Sequence, residues 1–181
     1  MSKRSDSRAA YLLSLPADER RALLNAMSER QRHALRHHWR LWAHDGQLPP
    51  GGDWLAWLIL AGRGFGKTRA GAEWVREVAE SRPEARIALV GASLGEVRAV
   101  MVEGESGLLS LGPPERMPDF EPSLRRLTWP NGAQAQLYSA QEPEGLRGPQ
   151  HSHACRPGAE GSVRERSARP CRRPPPRCHR R

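Results

Sequence analysis

Read by the spacing of its apolar residues, the chain opens in helical material. Leu12, Leu13 and Leu15 lead into Pro16, and residues 17–27 (ADERRALLNAM) follow with acids in the first turn and apolar Ala22, Leu23, Leu24 and Met27 behind them. That arrangement predicts a short amphipathic helix. Ser28 is placed to cap a second helix, SERQRHALRHHWRLWAH, whose Leu35, Trp39 and Trp42 recur at i, i+4 and i+7 and should pack on the rest of the protein. Residues 45–53, DGQLPPGGD, form a turn-rich connection into an apolar run of strand length at 54–60. Gly71, Trp74, Val75 and Val78 then mark one stripe of a helix over 67–80, with Gly71 allowing close approach to a sheet and Pro83 ending the helix. Residues 86–92, RIALVGA, are a second strand, after which Leu94, Val97, Val100 and Met101 resume helical spacing.

Strand, loop, helix and strand in that order are what a parallel α/β sheet requires. Residues 104–122 are rich in Gly and Pro and predict an irregular loop. Residues 125–140, RRLTWPNGAQAQLYSA, predict a hairpin: Leu127 and Trp129 on one arm, and Ala133, Ala135 and Leu137 on the other, alternate with polar partners. Asn131-Gly132 between them suits a two-residue type I′ turn. The polar segment 141–150, QEPEGLRGPQ, closes the orderly sequence. The chain thus divides into an N-terminal helical segment (1–45), an α/β domain (46–150) and a tail (151–181).

Composition alters this picture mainly at the tail. At 181 residues and 38% hydrophobic, the chain suffices for one domain with a core. The formal charge is +9, as expected of a nucleic-acid footprint, but residues 151–181 hold nine arginines against Glu160 and Glu165, leaving only +2 for the rest. All three cysteines, Cys155, Cys171 and Cys178, fall there too, and Val163 is its one sizeable apolar residue. Such a segment buries too little surface to offset its ordering entropy and is expected to be disordered. No run approaches a membrane span, and the start, MSKRSDSR, lacks the apolar core of a signal peptide, so a cytoplasmic location is expected. Only Lys3 and Lys67 among the 29 basic residues are lysine, which suggests a gene of high GC content.

Chemistry concentrates at residues 57–69, WLILAGRGFGKTR. An apolar strand, a glycine-rich turn and a helix start ending in Gly-Lys-Thr match a phosphate-binding loop, with Ala61 where the general pattern has its first glycine. In such a loop backbone N–H groups turn inward around phosphates and the following helix presents its positive end to them. Lys67 would reach the β- and γ-phosphates, and Thr68 would place its hydroxyl on Mg²⁺. Gln47, just upstream, is a candidate to pair with adenine through its amide, its plainer role being that of a solvated loop residue. His33 and His37, four apart on the second helix, lack a carboxylate or cysteine partner and read as a solvated face rather than a metal site.

With these blocks in view, WLILAGRGFGKTRAGAEWVRE, RIALVGASLGEVRAVMVEGESGLL, EPSLRRLTWPNGAQAQLYSA and EPEGLRGPQ together resemble the ATPase part of the large terminase subunit of tailed bacteriophages. The version found in prophages and gene transfer agents is the nearest in pattern, over roughly residues 39–150. The resemblance implies a P-loop NTPase core of the ASCE type with a β-hairpin insertion, an ATP- and Mg²⁺-dependent motor that drives double-stranded DNA through the portal protein into the capsid. It implies the small terminase subunit as a further partner. It makes Gly62, Arg63, Gly64, Phe65, Gly66, Lys67, Thr68 and Arg69 the nucleotide-binding loop, with Lys67 and Arg63 catalytic. Arg63 matches a basic position proposed to stabilise the γ-phosphate, as an arginine finger in cis would, although a surface charge beside the loop is an equal reading. Arg147 falls in a recurrent Leu-Arg-Gly motif.

The chain departs from the family pattern shortly after that motif. The family continues with a strand ending in Asp-Glu, which orients the Mg²⁺ shell and activates water, and then with an RNase H-like nuclease domain. Here the sequence from Cys155 becomes CRPGAEGSVRERSARPCRRPPPRCHRR, with no adjacent acidic pair. The break suggests a reading frame shifted between Gln150 and Cys155, a lost strand and an ATPase core that binds ATP but hydrolyses it poorly. The other reading is a complete small P-loop or basic DNA-binding accessory protein without motor activity, its tail arginines held on phosphates. Zinc ligation by the tail's Cys and His lacks paired spacing, and disulfides are not expected in the cytosol.

Overall fold

The computed structural model describes residues 8–156 and, as backbone, the strand 162–165. Four short helices come first: α1 (Arg8–Ser14), α2 (Ala17–Ala26), α3 (Glu29–Arg36) and α4 (Trp39–Trp42). α2 starts behind Pro16 with Asp18 and Glu19 against its positive end. α3 is fixed by a capping box, in which the Gln31 N–H donates to Ser28 Oγ (3.2 Å) and the Ser28 N–H donates to Gln31 Oε1 (2.8 Å). The single long helix expected from Ser28 onward is broken at His37 and His38. The indole N–H of Trp42 folds back to donate to the Leu35 carbonyl at 2.8 Å, which also accepts the His38 N–H at 3.3 Å, so this helix-end acceptor is satisfied across the break. Trp39 packs against the core as expected and Leu35 is half-buried, but the break shifts the helical phase, so Leu41 and Ala43 turn inward and Trp42, the third residue of the expected face, is left 47% exposed.

The core is one seven-stranded mixed sheet with order β1-β7-β6-β2-β5-β4-β3. Its strands are β1 (Ala56–Leu58), β2 (Arg86–Gly91), β3 (Asp119–Glu121), β4 (Arg126–Thr128), β5 (Gln134–Ser139), β6 (His153–Arg156) and β7 (Ser162–Glu165). β2 pairs in parallel with β5 on one side and with β6 on the other. Ile87, Ala88 and Leu89 are consecutively buried, as a central parallel strand covered on both faces requires. β1 departs from the wholly parallel sheet expected. It pairs antiparallel with β7, which pairs antiparallel with β6, so β1 keeps the direction of β2 but is separated from it by two strands, β7 and β6. The predicted strand at 54–60 is confined to the three residues that β7 pairs, because β1 is an edge.

Helix α5 (Lys67–Ser81) packs on this sheet, and every residue of the predicted stripe, Gly71, Trp74, Val75 and Val78, is buried. A short helix Leu94–Glu96, capped by Ser93, runs on into a π-helical turn, Val97–Val102, that adds Val97, Met101 and Val102 to the core. The region expected to be an irregular loop also contributes: β3 pairs with β4 there, and Leu108 and Leu111 are buried.

The hairpin β4–β5 forms in the expected place, with Leu127 opposite Ala135, but its turn differs. The Trp129 N–H donates to the Ala133 carbonyl (2.9 Å) and the Gly132 N–H to the Trp129 carbonyl (2.9 Å), enclosing three residues, Pro130, Asn131 and Gly132. Among these only Gly132 has positive φ, 97°. Pro130 decides this: a two-residue turn would make it a ladder residue needing an N–H, which proline lacks, so it takes the first corner of a three-residue loop instead. Asn131 then points its amide at the end of α5, donating to the carbonyls of Ala79 (2.7 Å) and Glu80 (3.3 Å).

The segment expected to be disordered from His151 onward is ordered at its start. β6 lies inside the segment assigned to it, and His153 and Cys155 are 3% and 2% exposed. Cysteine and neutral histidine are residues that cores accept when packed and hydrogen-bonded, which a count of large apolar side chains overlooks. The strand expected to be lost is therefore present, ending in Cys155-Arg156 instead of an acidic pair. Residues 157–161 and 166–181, with Cys171, Cys178 and His179, lie outside the described residues.

Candidate functional site: the glycine-rich loop

β1, β6, β2 and β5 run in one direction, so the loop after β1 emerges at the carboxyl edge of the sheet, where open α/β sheets bind ligands. The chain leaves buried Ile59, passes exposed Gly62, Arg63 and Gly64, and re-enters order at Gly66. Gly64 and Gly66 have φ of 79° and 86°, in the left-handed region that a side chain disfavours. Gly66 accepts the first helical bond of α5 from the Ala70 N–H (2.9 Å). The loop is thus a left-handed turn delivered onto a helix N-terminus, the arrangement that gathers backbone N–H groups toward an anion.

Lys67 bridges the loop. Its ammonium donates to the carbonyls of Ala61 (2.7 Å) and Gly62 (2.9 Å), which holds a positive charge across the loop and leaves one of its three donors for another acceptor. Thr68 occupies the first turn of α5 and is half-buried. Arg63 is exposed and makes no hydrogen bond or ion pair with a described residue. Phe65 turns its ring onto His44, edge to face at 4.6 Å.

Gln47 does reach the loop, 18 residues away in sequence, and its amide donates to the Phe65 carbonyl at 2.8 Å. Its other end is also engaged, since Oε1 accepts from the His44 N–H at 3.3 Å. Each half of the amide that the sequence offered to adenine thus makes one bond within the protein, leaving one N–H and one lone pair. Arg69 is drawn sideways: it pairs with Glu73 at 2.7 Å and lies 5.6 Å over the Trp39 ring, on the flank of α5. Arg147 pairs with Glu144 at 2.8 Å on the exposed turn after β5.

Glu73 is the residue that sequence reasoning missed. It is 2% exposed, the most deeply buried acid described, and holds Arg69 through Oε1 and Arg76 through Oε2 (2.8 Å). Arg76 continues to Glu80 (2.7 Å), and Arg116 closes on Glu80 at 3.1 Å. Burial of the Arg76 guanidinium works against its charge, but Glu73 and Glu80 outweigh that and raise its pKa. The signal was in the chain: Arg69, Glu73, Arg76 and Glu80 follow one another at three- and four-residue helical spacing. The row fixes the flank of the loop helix.

His153 closes the far side. Its Nε2 lies 2.9 Å from the Arg82 guanidinium, which can only donate, so this nitrogen is the acceptor, and Nδ1 donates to Ser152 Oγ at 2.8 Å. The ring stands edge-on to Trp74 at 5.9 Å. His33 and His37 approach to 4.7 Å between ring centres. Among the described residues no group of three His, Cys, Asp or Glu side chains is arranged to hold a metal, and no helix is long and apolar enough to cross a membrane.

A family model described as "Terminase large subunit, T4likevirus-type, N-terminal" matches residues 58–155, which is 98 of the 181 residues. No curated protein and no solved structure matches the chain.

Proposed function

The chain belongs to the terminase large-subunit family, and on that premise we propose that residues 62–68 bind the triphosphate of ATP, making this the ATP-binding part of a DNA-packaging motor. The observation that carries the reading is the loop itself: positive-φ Gly64 and Gly66 delivered onto the N-terminus of α5, with the Lys67 ammonium held across the loop carbonyls. An incoming triphosphate would receive the backbone N–H groups and the helix end, and Lys67 would exchange a carbonyl for a phosphate oxygen. Mg²⁺ is commonly held by few protein groups together with phosphates and water, and the Thr68 hydroxyl in the first turn of α5 fits that role. Bound there, Mg²⁺ would neutralise phosphate charge. Exposed Arg63 is free to add its charge at the γ-phosphate.

Hydrolysis requires a group to position water, and β6, the strand after Leu-Arg-Gly, ends in Cys155-Arg156 without an acidic pair. The chain is therefore proposed to bind ATP and to turn it over poorly. The family match running through Cys155 and the pairing of β6 in the sheet support a reading in which the change of frame, expected between Gln150 and Cys155, comes at the end of β6. Double-stranded DNA, the portal protein, the small terminase subunit and the capsid are the partners this reading proposes, in a host cytoplasm. Equilibrium binding of ATP with Mg²⁺ to the wild-type chain and to Lys67→Ala tests the site: a fall of about tenfold or more is expected, and equal affinities would refute it. In the nucleotide sequence, an alternative frame encoding Asp-Glu after β6 would support the frame change, and its absence from both would refute it.

A further inference from the structure

The glycine-rich loop does not stand alone: a short turn from upstream is fitted against it. The turn Asp45–Gln47 follows His44, and four contacts tie it to the loop. The Gln47 amide donates to the Phe65 carbonyl at 2.8 Å. A Cβ built on Gly66 would meet Gln47 Nε2, and one built on Gly46 would lie 3.0 Å from the tip of the Phe65 ring, so glycine is used on both sides of the contact. The His44 ring meets Phe65 edge to face, and the His44 N–H holds Gln47 Oε1, which orients the amide.

The stereochemistry of the peptide unit gives this contact a consequence. In a trans peptide the carbonyl and the following N–H point in opposite directions. Gln47 draws the Phe65 carbonyl toward itself, so the Gly66 N–H must point to the other side. Without that bond the same peptide is free to rotate, because Gly66 carries no side chain to restrain it. A rotation would set a carbonyl oxygen, which repels a phosphate, where an N–H donor should be.

We propose that Gln47 is a positioning residue of the phosphate loop, fixing the Phe65–Gly66 peptide so that the loop receives a polyphosphate, and that it does not read the base. This rests on the loop being a phosphate site. It assigns the 44–47 turn the role of a clasp between the N-terminal helices and the loop. A clasp acts on the phosphates alone, so it is blind to the base.

The test measures binding of ATP, GTP and tripolyphosphate, each with Mg²⁺, to the wild-type chain, to Gln47→Ala and to Gln47→Glu, which keeps the size but has no N–H donor. Loss of the hydrogen bond is expected to weaken all three ligands by a common factor of about 3 to 10. Trypsin cleavage after exposed Arg63, scored against cleavage in the α2 helix, reports the loop without any ligand and is expected to accelerate in both variants. Loss confined to ATP would overturn the inference in favour of base reading. Unchanged affinity for all three ligands, or unchanged cleavage, would overturn it as well. Failure of the wild-type chain to bind any of the three would instead refute the phosphate site, and this inference with it.

Discussion

A Cβ placed on Gly71 would stand 3.2 Å from the sulfur of Cys155. The helix that follows the phosphate loop therefore rests directly on β6, and the glycine sets how closely the two approach.

This contact predicts a sign reversal. Alanine at a helix interior is favoured over glycine by about 1 kcal/mol, whereas crowding a packed site costs about 1–3 kcal/mol. Gly71→Ala is thus expected to destabilise the protein by about 1 kcal/mol in the wild-type background. With Cys155→Ala already in place, the same substitution should stabilise by about 0.5–1 kcal/mol. Urea denaturation of the four proteins measures both, and additive effects would show that the two residues do not meet.

The same burial governs the Cys155 thiol, whose pKa is pushed up to about 12. At pH 8 only about one thiol in 10⁴ would be ionised, and the thiolate is the reactive form. In a chain carrying Cys171→Ser and Cys178→Ser, maleimide should label Cys155 only as fast as the protein opens. Labelling at the rate of a free thiol under native conditions would contradict its place in the core.

Along α5, the ion pairs divide by exposure. Glu73→Gln leaves Arg76 half-paired in a buried setting and is expected to cost about 2–4 kcal/mol. The Arg40–Glu77 pair is 2.7 Å long but 54% and 44% exposed, so Arg40→Ala should change stability by no more than about 0.5 kcal/mol. Denaturation midpoints compare the two, and equal costs would mean that Glu73 is not the anchor of the row.

What the sequence made legible follows from how locally each feature is encoded. The helix over Lys67–Ser81 and the strand Arg86–Gly91 rest on strong periodicity, and both formed where expected. The loop was legible because Gly, Lys and Thr stand consecutively, whereas its link to Gln47 depends on a turn folding back across 18 residues. The hairpin was visible in its alternating arms, but Pro130, beside the Asn-Gly pair, changed the turn. β6 was hidden by composition: it alternates His153 and Cys155 inward, and neither counts as a large apolar residue. The place of β1 was beyond local pattern, since β7, its pairing partner, lies more than 100 residues later.

Two histidines predict how stability responds to acid. Burial lowers the pKa of His37, with further lowering from His33, Arg76 and Arg36 and an opposing pull from Glu73. Burial alone lowers His151, both of whose ring nitrogens are buried without a hydrogen-bond partner beside Tyr138. Both imidazoles bind a proton less readily in the folded protein than at the ordinary value of 6.5, so below that pH the unfolded chain takes up more protons. Their contribution is complete above about 6.5 and is lost progressively as the pH falls toward the lowered folded values. The melting temperature should accordingly drop between pH 7.5 and 5.5, a range above most carboxylate titration. His151→Phe keeps an aromatic ring beside Tyr138 and removes the titrating nitrogens, so it should flatten part of that drop, and His37→Gln should flatten another part. If both variants lose melting temperature as steeply as the wild type across this range, the acid sensitivity arises elsewhere and neither ring is the group that resists protonation.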